Sequence, residues 1–549
     1  MLSLFKSSLL CIMFHKKFIL LLLCAMVMQH LFAQHGHYII YFKDKGNCNT
    51  YQATDFLSKK AISRRVKQNI AINLNDYPVY KDYLKKLRQA GIQIGLSSKW
   101  LNAVSASLNE EQLKKIRSFY FIKKIEALHE LEVKSGITSI ADSTIDTNYR
   151  FKSDNQLHML ALDTLHAHGF TGKGMTIAVF DNGFNNIDTM TCLKHVFTNK
   201  QILASRNFVH DSLNAFVPDG DHGQRVISIL AARVPGFYSG SAPDANFILG
   251  VTEDNSKEGE LEEYNWLAAA EWADSIGTDI ISSSLGYFDG FTYGTSHTYA
   301  DMNGHTTVIT KAANMAASKG ILVITAAGNE GGHPWQYIIA PGDADSNLTV
   351  GAVDSAGNYA VFSSTGPTAD GRIKPEVAAQ GQKTVHISSE GKIIAGNGTS
   401  FATPLISGMA ACIWQSDTLF KSMELFYAIK ESASMAANPN NYYGWGIPNA
   451  TKVHRNTTKG INELMPGSFH IYPNPAKDLI YIESFKPLNK NTTIYMYDLH
   501  GKEILHTKYE KMNQVFSIDI SALLPALYVL MIKDEDGQLL YRDKIISLK

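Results

Sequence analysis

The chain has 549 residues, which corresponds to about three or four domains at roughly 150 residues each. Hydrophobic residues make up 45% of it, enough for ordinary globular cores. Lys plus Arg and Asp plus Glu both number 51, so the net charge favours neither a nucleic-acid partner nor binding to an acidic membrane surface.

The N-terminus has the pattern of a secretory signal. Lys16 and Lys17 precede the apolar run from Phe18 to Met28, and Ala33 follows at a suitable cleavage point. The run is about 11 residues long, whereas a helix that spans a bilayer needs about 20. We therefore predict a signal peptide over residues 1–33 and export across the inner membrane, with a retained membrane anchor as the alternative.

The cysteine content is low for an exported chain. Two of the five cysteines, Cys11 and Cys24, fall in the signal, which leaves Cys48, Cys192 and Cys412. So few cysteines argue against a scaffold built on disulfides. The sequence leaves open whether Cys192 and Cys412 pair.

Residues 34–133 predict a small α+β domain. The predicted strands are 37–42, 100–108 and 121–128, and the predicted helices are 54–69, 79–91 and 109–119, the last with Asn109 as a good N-cap. Residues 134–155 are polar and have no clear period, so we expect an exposed linker there.

Residues 156–455 alternate short apolar runs with helical patterns. The predicted strands are 175–180, 245–251, 278–286, 320–328 and 346–353, with helices such as 260–277 and 306–320. Near-continuous apolar strands between helices predict an α/β domain with a mostly parallel sheet covered on both faces. After a linker at 456–467, alternating residues and turn signals over 468–549 predict a small all-β sandwich.

Two candidate catalytic residues fall where open parallel sheets place their active sites, at the carboxyl ends of strands. Asp181 directly follows the strand 175–180, although an Asp before Asn182-Gly183 also suits a simple turn. His222, in DHGQRVISIL, is compatible with a base presented at a helix N-terminus. Its neighbour Asp221 would not face it on a helix, so Asp181 is the better candidate to orient the imidazole.

Two further candidates follow in the chain. Asn329, in VITAAGNEGG, either forms a turn or donates its amide to a developing oxyanion, a role typically worth about 3–4 kcal/mol. Ser400, in GNGTSFATP, lies at the start of a predicted helix, where it is either a cap or a nucleophile with backbone donors beside it. Gly398 permits close approach of a substrate backbone.

The order of the four candidates discriminates between enzyme classes. Asp before His before Ser is the order in subtilisin, whereas α/β-hydrolases have Ser first and a G-x-S-x-G turn that does not surround Ser400. The segments that agree with this order, over about 300 residues, are IAVFDNGF, DHGQRVISIL, GSAPDANFIL, DIISSSLGY, VITAAGNEG, FSSTGPTADGRIKPEVAAQG and GNGTSFATP. In sequence and order they resemble the motifs of the subtilisin-like serine proteases.

The resemblance implies a role for each candidate. Asp181 would orient the imidazole, His222 would act as general base and acid, Ser400 would be the nucleophile, and Asn329 would donate to the oxyanion. Ser284, Leu285 and Gly286 would pair with substrate as an extended strand, and Ala326, Ala327 and Gly328 would line the first specificity pocket. The chain departs from the family pattern at Gln224, where Thr is usual, and at Phe401, where Met is usual.

No cofactor is expected for this chemistry. Structural calcium is common in the family, but the chain has no EF-hand-like ligand run, so no calcium ligands are assigned.

The flanking segments carry weaker resemblances. By position, size and pattern, residues 34–133 resemble the inhibitory propeptide of subtilases. Such a propeptide would assist folding, block the cleft and be cut off in the linker. The alternative is a permanent accessory domain. Residues 471–483, 494–504 and 523–549 resemble the type IX secretion sorting domain of Bacteroidetes, with Ala526 where Gly is usual. An ordinary sugar- or protein-binding sandwich is the alternative.

Together these features predict a secreted or cell-surface serine endopeptidase. Its expected partners are polypeptide substrates, its own propeptide as an intramolecular inhibitor and the type IX secretion machinery, but no nucleic acid. The competing interpretations are a catalytically silent surface-binding protein on the same scaffold and a hydrolase of esters or amides.

Overall fold

The structure is a computed structural model that describes residues 36–48, 51–128, 154–216, 220–256, 258–292, 294–454, 469–484, 491–498, 501–509, 515–537 and 539–548. The predicted signal peptide, and the predicted linkers at 134–155 and 456–467 except for residues 154 and 155, lie outside these ranges. The chain divides into two compact units, residues 1–450 and 451–549. No helix in the described part combines the length and apolar character needed to cross a membrane.

The first unit begins with a four-stranded antiparallel sheet in the order β2-β3-β1-β4, which carries three helices. Its elements are β1 Gly36–Phe42, α1 Lys59–Lys67, α2 Lys81–Gln89, β2 Gln93–Ser98, β3 Ala103–Leu108, α3 Glu110–Arg117 and β4 Ile122–Leu128. The prediction of an α+β domain is confirmed, but it omitted β2. It also began the first helix too early: α1 begins after Ser58, whose side chain accepts a hydrogen bond from the Ala61 N–H as an N-cap.

The rest of the first unit contains a seven-stranded sheet in the order β13-β12-β11-β10-β5-β9-β6, with every recorded pairing parallel. The strands of this region, which include two short antiparallel ribbons outside that sheet, are β5 Thr176–Asp181, β6 Ile202–Asn207, β7 Arg233–Val234, β8 Tyr238–Ser239, β9 Asn246–Val251, β10 Ile280–Ser283, β11 Leu322–Ala326, β12 Asn347–Val353, β13 Val377–Gln380, β14 Thr384–Ile387 and β15 Ile393–Gly396. The predicted parallel α/β fold is confirmed.

The helices of this region connect the strands. They are α4 Asp154–His158, α5 Leu162–Ala167, α6 Lys194–Thr198, α7 His222–Ala231, α8 Glu260–Ile276, α9 Val308–Ser318, α10 Thr399–Ser416 and α11 Ser422–Ser432. Because α4 already begins at Asp154, the last two residues of the predicted linker are helical.

The strand order places a topological switch at β5. The chain places β6 and β9 on one side of β5 and then crosses to the other side, where β10 pairs with β5 and β11, β12 and β13 follow. Ligands of open parallel sheets bind outside the carboxyl ends of the strands at such a point. Asp181, the last residue of β5, lies there.

The second unit consists of two antiparallel sheets, β16-β17-β20 and β19-β18-β21-β22. Its strands are β16 Phe469–Tyr472, β17 Leu479–Ser484, β18 Thr492–Tyr497, β19 Glu503–Tyr509, β20 Val515–Asp519, β21 Ala526–Asp534 and β22 Leu539–Ser547. Ile480 and Ile482 from one sheet share a buried core with Ile494 and Leu530 from the other. The predicted all-β sandwich is confirmed.

The three cysteines within the described ranges are free. Cys192 and Cys412 are both buried and do not pair with each other, which answers the question that the sequence left open.

Candidate active site

Asp181 is fully buried at the carboxyl end of β5. Its Oδ1 accepts hydrogen bonds from the Asn182 N–H at 2.9 Å and from His222 Nδ1 at 2.7 Å. A carboxylate has no proton to donate, so the imidazole presents Nδ1–H to it and keeps Nε2 as a free acceptor. Asp181 Oδ2 has no hydrogen-bond partner in the described part of the chain.

His222 is the first residue of α7, and its side chain is 31% exposed. Burial alone would lower the pKa of the imidazole, but the charge of Asp181 and its hydrogen bond outweigh that effect and raise the pKa above its usual value. The adjacent Asp221 instead forms a 2.6 Å ion pair with Arg225 one turn along the helix, in agreement with the expectation that it does not face His222.

Gly223 lets α7 approach β5 closely enough for this pair to form. A Cβ at this position would lie 2.4 Å from the Gly183 carbonyl oxygen and 2.8 Å from Asp181 Cβ. Any side chain there would push the first turn of α7 away from Asp181.

Ser400 is the second residue of α10 and is 8% exposed. The helix is N-capped by Gly398 without a side-chain hydrogen bond, so the interpretation of Ser400 as a helix cap is wrong. Pro404 has no N–H to donate to the Ser400 carbonyl four residues before it. Instead, the Ser284 hydroxyl donates to that carbonyl at 2.8 Å, which attaches the start of α10 to the end of β10.

The start of α10 also reaches Asn329 and the catalytic-histidine candidate. Asn329 Oδ1 accepts hydrogen bonds from the Thr399 N–H at 2.9 Å and from the Thr399 hydroxyl at 3.0 Å. The Phe401 ring stacks on His222 with the centroids 5.9 Å apart. Thus Thr399, before Ser400, contacts Asn329, and Phe401, after it, contacts His222. Within the described residues no hydrogen bond joins Ser400 itself to His222.

The predicted substrate-binding segments lie side by side because β10 and β11 are neighbours. Ser284, Leu285 and Gly286 follow β10, and Ala326 ends β11, with Ala327 and Gly328 after it. The backbone N–H and C=O groups of Leu285 and Gly286 have no hydrogen-bond partner in the described chain. Gly328 adopts a φ of +107°, and a Cβ there would lie 2.7 Å from Ser364 Oγ.

The structure adds residues that the sequence analysis did not single out. Thr399 pairs with Asn329, and fully buried His386 also stacks with the Phe401 ring, with the centroids 4.5 Å apart. Burial lowers the pKa of His386 to about 4, so this ring is neutral near pH 7. Gln224, the other departure from the family pattern, is buried in α7 and donates to the Ile387 carbonyl of β14 at 2.9 Å.

A metal site is not evident from side chains. The described ranges contain no group of three or more His, Cys, Asp and Glu residues arranged to hold a metal ion.

Comparisons with known proteins agree with this architecture. Residues 172–446 match the subtilase family, peptidase S8. Residues 37–142 match the peptidase S8 propeptide domain of Bacteroidota, and residues 470–547 match the secretion system C-terminal sorting domain.

Individual relatives give the same result. The chain is 26% identical to subtilisin E of Bacillus subtilis over 366 residues, which cover 66% of this chain and 83% of that protein. It is 30% identical to the serine protease AprX of the same organism over 312 residues, or 51% of this chain and 66% of that protein.

Among solved structures, the epidermin leader peptide processing serine protease of Staphylococcus aureus has the same fold. The TM-score is 0.52 at 17% identity, and the match covers 77% of this chain and 98% of that one. On these sequence matches and this fold, the chain belongs to the subtilase family of serine endopeptidases and carries a propeptide domain and a C-terminal sorting domain.

Proposed function

We propose that Asp181, His222 and Ser400 form the catalytic triad of a secreted endopeptidase. The observation that carries this proposal is the 2.7 Å hydrogen bond from His222 Nδ1 to the buried Asp181 carboxylate. It leaves His222 Nε2 as the proton acceptor, on a ring that is partly open to solvent. Asp181 holds the required tautomer and stabilises the imidazolium that forms.

The three groups would perform the reaction in two stages, acylation and deacylation. His222 Nε2 removes the Ser400 hydroxyl proton as Ser400 Oγ attacks the substrate carbonyl carbon, and the carbonyl π electrons move to its oxygen. When the tetrahedral intermediate collapses, His222 gives the proton to the leaving amine and the acyl-enzyme remains. Water, deprotonated by His222, then attacks the acyl carbon. When this second intermediate collapses, the bond to Ser400 Oγ breaks, Ser400 takes the proton from His222, and the acid product leaves.

The oxyanion of both intermediates would be stabilised by Asn329 Nδ2–H and the Ser400 N–H. The two hydrogen bonds from Thr399 fix the Asn329 oxygen and therefore the direction of its NH2 group, which has no partner in the described chain. A fixed donor needs no reorganisation during the reaction, which is what makes such a site effective.

The substrate would bind as an extended strand along Ser284, Leu285 and Gly286. The unpaired backbone groups of Leu285 and Gly286 are the donors and acceptors that strand addition requires. Ala326, Ala327 and Gly328, at the end of the neighbouring strand β11, would line the pocket for the side chain before the cleaved bond.

The flanking domains support a location outside the cell. The C-terminal sorting domain indicates export. We propose that a signal peptide over residues 1–33 directs the chain across the inner membrane, that the type IX machinery carries it on, and that the propeptide is cut off between residues 134 and 155.

Active-site labelling with a fluorophosphonate probe tests the proposal. We expect the processed wild-type protein to be labelled and to cleave peptides, and the Ser400→Ala variant to do neither. Equal labelling of both proteins, or no labelling of processed wild type, would contradict the proposal and favour a silent scaffold. Labelling with ester cleavage but no peptide cleavage would instead favour an esterase.

A further inference from the structure

Two glycines lie on the segments that follow the neighbouring strands β10 and β11. Gly286 comes after the end of β10, and Gly328 comes after the end of β11. In the proposed function, the substrate side chain before the cleaved bond enters the gap between residues 284–286 and 326–328, which we call the slot. Whatever occupies the slot therefore decides which side chain the enzyme accepts at that position.

The side chain of Ile339 reaches into the slot. A Cβ at Gly286 would lie 2.5 Å from both Ile339 Cγ1 and Ile339 Cδ1, and a Cβ at Gly328 would lie 3.0 Å from the same two atoms. These two atoms therefore fill the space in which both Cβ atoms would lie. Ile339 is 7% exposed, so its side chain is packed against protein on nearly all sides.

Hydrogen bonds fix the backbone that carries Ile339. The Ile339 N–H donates to the Ala327 carbonyl at 3.2 Å. The next residue, Ala340, exchanges two hydrogen bonds with Tyr287, at 2.8 and 3.0 Å. Ala327 and Tyr287 are the chain neighbours of the two glycines, so Ile339 is attached to both segments that border the slot.

The slot also has little freedom to widen. The Ser364 N–H donates to the Gly328 carbonyl at 3.0 Å, and the Gly328 N–H donates to the Thr399 hydroxyl at 3.3 Å, so both backbone groups of this glycine are bonded. Isoleucine is branched at Cβ, which leaves it few rotations about the Cα–Cβ bond. A close-packed interior resists displacement of such a side chain. A long substrate side chain would thus overlap with Ile339.

We propose that Ile339 is a specificity-determining residue that restricts the side chain before the cleaved bond to a small one, namely that of Gly, Ala or Ser. An alanine methyl group ends close to the substrate backbone and can rest on Ile339. Leucine and phenylalanine are longer and would need the space that Ile339 fills. The inference rests on the proposed function, because it names the substrate class of the same site.

Peptide substrates that differ only in the residue before the cleaved bond test the proposal. The processed wild-type protein is first titrated with a fluorophosphonate probe, which counts the reactive sites without a peptide side chain in the slot. kcat/KM is then measured for peptides with Ala, Leu or Phe at that position, and mass spectrometry locates each cut. One methylene group in an apolar pocket changes kcat/KM by about 10–200-fold, so we expect Ala to be preferred over Phe by about a hundredfold or more.

Two adjacent isoleucines provide the test variant and its matched control. Ile339→Ala should raise kcat/KM for the Phe peptide relative to the Ala peptide by about a hundredfold, because the space that Ile339 fills becomes available. Ile338 is also buried, but its Cγ2 would lie 2.9 Å from a Cβ at Gly342, outside the slot. Ile338→Ala should therefore leave the preference for Ala unchanged.

The outcomes separate this inference from the proposed function. If the wild type is labelled and cleaves after Phe as fast as after Ala, the inference is wrong and the proposed function stands. If the processed wild type is not labelled, the proposed function fails and the inference fails with it. An unchanged preference in Ile339→Ala would also overturn the inference. If Ile339→Ala does not fold, Ile339→Val and its control Ile338→Val replace the pair, with an expected change of about tenfold.

Discussion

Replacing Phe401 by Leu should shift the pH dependence of catalysis. The Phe401 ring stacks with two imidazoles: its centroid is 5.9 Å from that of His222 at an interplanar angle of 24°, and 4.5 Å from that of His386 at 26°. An aromatic face within about 6 Å of a cation stabilises it by about 0.5–1 kcal/mol at a partly exposed site. His386 is neutral near pH 7, so it supports the ring without repelling the His222 imidazolium.

The size and sign of the shift follow from this geometry. One pKa unit corresponds to about 1.36 kcal/mol, so losing the ring should lower the pKa of His222 by about 0.4–0.7 units. In the proposed mechanism the neutral imidazole of His222 is the active form, so kcat/KM should rise with pH through this pKa. In the wild type the pKa is raised above its usual value, and in Phe401→Leu the rising limb should move to lower pH.

The assay is kcat/KM for a peptide substrate as a function of pH, with thermal unfolding measured in parallel. Phe401 is buried, so the variant should also lose about 1–3 kcal/mol of stability from the cavity. Phe426→Leu is the control: Phe426 is equally buried in α11, but its ring contact is with Tyr427. If both variants lose stability and neither shifts the limb, the stacking argument is refuted.

Three further variants test the remaining geometry. Asp181→Asn should lower kcat by about 10⁴-fold with little change in folding, because an amide no longer holds the required imidazole tautomer; a kcat within tenfold of wild type would argue against the pair. Asn329→Ala should lower kcat by about 10²–10³-fold with KM nearly unchanged. If only KM changes, Asn329 binds the substrate in the ground state and does not stabilise the oxyanion. Gly223→Ala should abolish activity while Ser400 remains in place, because the new alanine Cβ would lie 2.8 Å from Asp181 Cβ. Full activity of this variant would mean that α7 can shift without loss of the His222–Asp181 contact.

The sequence predicted the central strands of the parallel sheet and missed its edges. β5, β9, β10, β11 and β12 are buried apolar runs, which is the pattern that identifies strands covered on both faces. In the four-stranded and seven-stranded sheets, the strands that the prediction omitted are β2, β6 and β13, and all three lie at the edge of a sheet. An edge strand pairs on one side and is often short or half exposed, so it lacks that pattern.

The candidate site was partly predictable because its residues lie in short sequence motifs. The motifs identified Asp181, His222, Asn329 and Ser400, and the structure brings Asp181 and His222 into direct contact, while their catalytic roles stay predictions. Phe401 could not be explained from its neighbours in the chain. Its partner His386 is supplied by a hairpin, β14 and β15, whose packing against α7 depends on residues about 160 positions apart, such as Gln224 and Ile387.

The start of α10 supplies more to the proposed chemistry than the Ser400 hydroxyl alone. Thr399 donates its N–H to Asn329, and Phe401 donates its N–H to the Gly398 carbonyl. Of the first three N–H groups of the helix, the Ser400 N–H is thus the one left without a partner in the described chain, and the helix dipole adds partial positive charge there. Asn329 uses its oxygen to cap the helix and keeps its NH2 group free. One side chain therefore fixes the helix and leaves two unpaired donors, its own amide and the Ser400 N–H, which are the two donors that the proposed mechanism assigns to the oxyanion.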